Sequence, residues 1–186
     1  HSSAASDVYK RESLDNGEEL SFDKLVCATH ADQTYKMITD ITDEERLILE
    51  PWEYSRNRTV LHTDSSFMPP SKNAWACWNY VKNKGSKDED NVSVTYYMNR
   101  LQGLSTNNDY LVTLNPVTEI PKDKIIYETV YTHPKYTQQS LATQKNINDV
   151  SGKENVFFCG SYCRYGFHED AVLSAVNVAK KLGCDL

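Results

Sequence analysis

Near its carboxyl end the chain reads NVFFCGSYCRYGFHEDAVLSAVNVAKKLG, Asn155 to Gly183, a stretch dense in reactive side chains. Cys159, Cys163 and His168 stand in a C-x3-C-x4-H spacing that suits a metal. Structural zinc takes four ligands, so Glu169, Asp170 or a distant residue would have to supply the fourth. Against that, Cys159 closes the apolar run Val156-Phe157-Phe158, where a thiol acts as a small hydrophobe. Gly160 and Gly166 let the backbone bend and approach a ligand. A helix start behind such a loop is a site for an anion or a carbonyl oxygen. Glu169 and Asp170 are equally what an ordinary helix places in its first turn. The loop best suits the polar edge of a large cofactor; the metal reading trails it.

A second set lies upstream. VLHTDSSFMPP places His62 and Asp64 two apart on one side of a strand, either a base with its orienting carboxylate or a strand-end hydrogen bond. NAWACWNYV puts Trp75, Cys77 and Asn79 on one face and Ala76, Trp78 and Tyr80 on the other. With Tyr97 on an adjacent strand, these aromatics are either core or the wall of a flat cavity for a planar cofactor or apolar substrate. No Ser or Cys sits in a nucleophile-elbow pattern, so a hydrolase has little support.

The elements that must position these residues follow from periodicity. Residues 7–13 and 18–27 flank Asp15-Asn16-Gly17, a hairpin signal, and the second arm ends in a buried strand, Leu25 to Cys27. Ala31 to Ile38 and Asp43 to Leu49 read as short helices, the second capped by Thr42 or Asp43. Strands are expected at 59–63, 74–81, 92–99, 110–114 and 125–131, and a surface helix at 137–147. The charged stretch KNKGSKDEDN reads as a solvated hairpin loop. A closing strand, loop and helix end the chain, the helix burying Ala171, Ala175, Val178, Ala179 and Leu182, widened by Val172 and Val176. The first and last pieces look like parts of one α/β layer interrupted by an antiparallel sheet, with too few parallel strands to close that layer alone.

Composition narrows the partners. The chain has 186 residues, 39% apolar, with a net charge of −6 and no dense basic patch, which argues against nucleic acid. No apolar run is long enough to span a membrane, and no signal peptide opens the chain. Five cysteines at scattered spacings suit reduced thiols and a cytoplasmic setting. The chain opens on His1 rather than methionine, as expected of a piece of something longer.

FDKLVCATHADQT, VLHTDSSFMPPSKNAWACWNY, VTYYMNRLQGL, LVTLNP and FFCGSYCRYGFHEDAVLSAV occur here in the order in which they stand in a family of FAD-dependent oxidoreductases. That family is similar to flavin-containing amine oxidases, is described as predicted NAD/FAD-binding proteins, and has some members linked with cyclopropane-fatty-acid synthases. The resemblance implies a mixed α+β and α/β chain, the carboxyl-terminal part of a FAD/NAD(P)-binding, amine-oxidase-like fold. It divides the chain into a hairpin and strand of a split FAD domain (1–30), a substrate domain of antiparallel sheet and short helices (31–150), and a closing strand-loop-helix (151–186). It further implies FAD along Cys159, Gly160 and Ser161. Gly166 and the helix start, Phe167, His168, Glu169, Asp170 and Ala171, would face the flavin edge. Trp75, Trp78, Asn79, Tyr80 and Tyr97 become the substrate-cavity wall, and His62 the side chain for proton handling. The expected chemistry is hydride transfer from a C–N or C–C bond of an amine or apolar small molecule to flavin N5.

Two departures stand out. Tyr162 occupies a position where many amine oxidases are acidic, and G-x-G-x-x-G is absent from the sequence. The expectation is therefore a fragment that needs an amino-terminal half for tight FAD binding, with surface left open for association. The alternative is a cofactor-free remnant or interaction module.

Overall fold

The computed structural model describes residues 10–13, 16–82 and 92–184. In chain order the elements are β1 (Lys10–Ser13), β2 (Glu19–Phe22), β3 (Leu25–Cys27), α1 (Ala31–Met37), α2 (Asp43–Leu49) and β4 (Tyr54–His62). There follow β5 (Trp78–Lys82), β6 (Val92–Tyr97), α3 (Met98–Gln102), β7 (Leu111–Leu114), β8 (Ile125–Pro134) and α4 (Gln138–Val150). The chain closes with β9 (Ser151–Glu154), β10 (Val156–Phe158) and α5 (His168–Lys181). They form two compact units, one of His1–Tyr54 with Pro134–Leu186 and one of Ser55–His133. The helices α1, α2 and α4 thus belong with the chain termini, whereas the sequence grouped them with the sheet. The solvated loop expected after β5 and the Asp15 turn residue lie outside the described residues.

In the first unit β3 and β10 pair in parallel, Val156 opposite Leu25 and Phe158 opposite Cys27. Strand β10 is buried on both sides, which explains its unbroken apolar run. Val156 and Phe158 join a core with Ile48, Leu49, Trp52 and Ile147, while Phe157 and Cys159 pack with Val178 of α5. Each helix has a local reason to start where it does. Thr42 accepts from the Glu45 N–H at 3.2 Å while Glu45 accepts from the Thr42 N–H at 2.9 Å, a reciprocal cap. Thr137 and Ser140 do the same for α4. Between β9 and β10, Glu154 and Asn155 both take positive φ, +50° and +60°, the backbone that a tight primed turn requires.

Helix α5 is rotated from the expected phase. Its buried stripe is Asp170, Ser174 and Val178, and Val172 is exposed. Two polar residues can occupy that stripe because both are hydrogen-bonded: Asp170 to the Phe167 N–H, and Ser174 to Ala171 and Gly160.

The second unit is a five-stranded sheet in the order β5-β6-β7-β4-β8. Registers align Val60, Thr113, Thr95 and Asn79 in one row across four strands. The opposite face carries the row Leu61, Val112, Tyr96 and Trp78. The first face is buried although largely polar; the second leaves Trp78 and Tyr80 exposed. Two expected strands are shorter than their apolar patterns. Residues 72–74 form a 3-10 turn, so β5 begins at Trp78, and β6 stops at Tyr97, where α3 takes over and ends in left-handed Gly103. Asn99 drives that change: its side chain bonds the Tyr110 N–H and the Asn108 carbonyl, a local alternative to continued pairing.

Candidate functional site

The strand-loop-helix at the carboxyl end is built as a rim on a buried base. Cys159 is 4% exposed, and its N–H continues the ladder by donating to the Cys27 carbonyl at 3.1 Å. Gly160 and Ser161 are half-buried and Tyr162 is buried; residues from Arg164 to Glu169 are exposed; Asp170 is buried again. At the start of α5 the Asp170 carboxylate accepts the Phe167 N–H at 3.0 Å, and Arg164 lies 3.7 Å from the same carboxylate. This arrangement caps the helix from its side and leaves Phe167, His168 and Glu169 in solvent. A helix of this length carries unpaired N–H groups and partial positive charge at its start.

The two glycines do not open toward a ligand. A Cβ on Gly160 would meet the Tyr162 ring at 2.6 Å, and one on Gly166, at φ +91°, would meet the Tyr136 hydroxyl at 2.5 Å. Each glycine makes room for one of the protein's own tyrosines, which correct the expectation of ligand approach at those atoms. The start of α5, Phe167 to Glu169, stays exposed.

Three of the thiols, Cys27, Cys159 and Cys163, are held in the protonated form by burial. Burial pushes Cys27 up to about 11 and Cys163 up to about 12, and raises Cys159 as well. Among the described residues, no three His, Cys, Asp or Glu side chains come together as a metal cluster, so Cys159, Cys163 and His168 do not converge.

In the sheet unit, His62 is fully buried. Its Nε2 lies 2.7 Å from the Thr113 hydroxyl, and its Nδ1 accepts the Asp64 N–H at 3.1 Å. The Nδ1 acceptor role places the proton on Nε2, which donates to Thr113, and Thr113 bonds Thr95 at 2.9 Å. Burial lowers the imidazole from 6.5 to about 4, so it is neutral at pH 7. His62, expected to handle a proton, instead joins three strands with both nitrogens engaged. Asp64 does not orient the ring through its carboxylate; that group pairs with Lys124 at 2.9 Å.

The five aromatic and amide candidates separate. Trp75 and Tyr97 pack edge to face at 5.1 Å beside Met68 and Leu111. Asn79 is buried and holds Ala76 through both its amide ends. Trp78 and Tyr80 point to the opposite, exposed face. Three of the five, Trp78, Asn79 and Tyr80, border a cleft of about 560 Å³ beside β5, together with Phe67, Met68, Val81 and Val117, while Trp75 and Tyr97 are not among its lining.

Residues 116–182 match the family model of the flavin containing amine oxidoreductases. Over those residues, about a third of its length, the chain is similar to that family. Within the match fall β8, α4, β9, β10 and all of α5, including the whole exposed rim. No curated protein matches the chain in sequence. In three dimensions the chain is similar to the crystal structure of the CLA-producing fatty acid isomerase from P. acnes, with a TM-score of 0.60 and 10% identity. That likeness covers 96% of this chain and 46% of the other, so the chain spans less than half of that enzyme and shares its fold over that part.

FAD fits the rim in part. Helix-tip N–H groups suit an anionic or carbonyl edge, and exposed Tyr165 and Phe167 offer aromatic surface beside them. Residues that the sequence did not single out build the base of the rim. Gln144 on α4 donates to the Tyr162 carbonyl at 2.9 Å and also to that of Arg164. Ser174 accepts the Gly160 N–H at 2.9 Å. These bonds reach backbone groups far along the chain and leave no local pattern to read.

Proposed function

We propose that this chain supplies the closing flavin-binding segment and the substrate sheet of a FAD-dependent oxidoreductase of amine-oxidase type. The single observation that carries the reading is a coincidence of site and family. The matched region ends on α5, whose exposed, positively polarised tip follows the carboxyl end of a parallel strand, where α/β folds place their ligands.

When bound, FAD supplies the hydride acceptor for oxidation of a C–N or C–C bond. The chain's own residues do the rest. Residues 159–161 give the cofactor a backbone edge, and the α5 tip, Phe167 to Ala171, stabilises negative charge on the ring it faces. Asp170 keeps that tip ordered by holding the Phe167 N–H. The sheet unit presents an apolar cleft beside β5 for an amine or an apolar substrate. In this reading His62 gives the sheet its shape and moves no proton.

The absence of G-x-G-x-x-G means that the pyrophosphate cradle comes from outside these residues. The test is flavin content. Protein expressed from the reading frame extended upstream is expected to purify with a flavin spectrum, and the 186-residue chain is expected to bind added FAD at least 100-fold more weakly. A colourless extended protein that takes up no FAD refutes the proposal. It would favour a cofactor-free interaction module, a reading for which the exposed Trp78 and Tyr80 face is the supporting observation.

A further inference from the structure

The loop between β10 and α5 turns sharply, is exposed along its rim, and yet is tied down from beneath by three elements. From α4, the Gln144 side-chain amide spends both of its N–H donors on loop carbonyls, Tyr162 at 2.9 Å and Arg164. From α5, Ser174 receives the Gly160 N–H. From the segment ahead of α4, the Tyr136 hydroxyl fills the space under Gly166. The loop's own bonds, Cys163 N–H to Gly160 and Gly166 N–H to Ser161, also turn inward. Of these ties Gln144 alone grips two carbonyls from a side chain on another element, and it does so immediately before the exposed run begins.

We infer that Gln144 is a positioning residue: it sets the shape of residues 160–167, and through that shape the aim of the α5 tip at the cofactor. The inference rests on the flavin reading for its consequence but not for its geometry. Without the two amide donors, the Tyr162 and Arg164 carbonyls lose their partners together, and α4 no longer holds the rim, which is left to its own bonds, to Ser174 and Asp170 of α5, and to Tyr136 under Gly166. Asn, one carbon shorter, cannot reach both carbonyls from the same helix position. Glu keeps the size but replaces the donating nitrogen with an oxygen facing two carbonyl oxygens.

The experiment compares Gln144→Leu, Gln144→Glu and, as a control on the exposed side of α4, Gln139→Leu. Hydrogen exchange of peptides covering 160–168 is measured without flavin, and FAD affinity is measured by quenching of flavin fluorescence, both on the protein extended upstream. Gln144→Leu is expected to speed loop exchange at least 10-fold, Gln144→Glu more, with α4 and β10 unchanged and the control silent. FAD affinity is expected to fall at least 10-fold in both. Unchanged loop exchange, or loosening of α4 and β10 together with the loop, overturns the positioning role. Loosening confined to the loop with unaltered FAD affinity overturns its link to the cofactor. If the unsubstituted protein takes up no FAD while the loop loosens as expected, the flavin reading fails and the positioning role stands.

Discussion

Replacing His62 by glutamine removes a titration that the folded sheet suppresses. In the folded protein burial holds the imidazole at about 4, against about 6.5 for the unfolded chain. Between those values the unfolded state binds a proton that the folded state does not. Stability from this group is therefore complete above pH 6.5 and is lost as pH falls toward 4. For a depression of this size the loss is about 2 kcal/mol between pH 7 and pH 5, and about 3 kcal/mol by pH 4. The Asp64–Lys124 pair does not blur this window. Burial opposes ionisation of Asp64, but Lys124 and the hydrogen bonds from Ser66 together outweigh it and hold the carboxyl below its usual range. The glutamine amide offers a nitrogen for Thr113 but no titration. The substitution His62→Gln should cost about 1–2 kcal/mol at pH 7, for the Asp64 N–H left without its acceptor. The assay is urea-dependent hydrogen exchange read on peptides spanning β6 and β7, at pH 7, 6 and 5 and corrected for intrinsic rates. Reading the sheet unit alone avoids assuming one transition for two compact units. The wild type should lose stability toward pH 5 while His62→Gln stays nearly level. Equal slopes for the two proteins would show that His62 is not held neutral, and the buried-network account of the sheet would fall with it.

Other expectations test the remaining parts. Thr143→Val strands the buried Trp52 Nε1–H, which now donates to Thr143 at 3.1 Å, and should cost about 1–3 kcal/mol in urea unfolding followed on the terminal unit. Gly166→Ala meets both a left-handed backbone and the Tyr136 hydroxyl; about 2 kcal/mol of destabilisation is expected, and adding Tyr136→Phe should recover part of it in a double-mutant cycle. An aromatic disulfide reagent at pH 8 should titrate exposed Cys184 quickly, and buried Cys27 and Cys159 only after unfolding. Rapid reaction at either buried thiol in native protein would contradict the packing of β3 against β10.

The sequence showed most clearly what depends on nearest neighbours. The capped start at Thr42 and the apolar strands 25–27 and 156–158 are local patterns, and all stand where periodicity and capping chemistry place them. The misreadings trace to side-chain contacts that alternation and spacing do not show. Alternation carried β6 through Asn99, but that side chain bonds Asn108 and Tyr110 and turns the chain into α3. Of the two readings open for His62 and Asp64, the strand-end hydrogen bond is the one formed, Asp64 N–H to His62 Nδ1, while their other partners, Thr113 and Lys124, come from elements that the spacing does not show. At the rim, glycines at 160 and 166 suggested space for a ligand, and only the folded chain reveals the tyrosines that fill it.

The parallel pairing of β3 with β10 joins the two ends of the chain, with the whole sheet unit threaded between them. Glu53 and Lys135, which flank that insert, meet through a 2.8 Å backbone hydrogen bond. A sheet that folds first would thus deliver both of its borders to one place and leave the α/β layer a far shorter excursion to close. Loop entropy alone makes this worth less than about 1 kcal/mol at equilibrium, but in kinetics it sets an order of events. During synthesis the sheet can be complete while β10 is still unmade, so the rim and its helix come together after it.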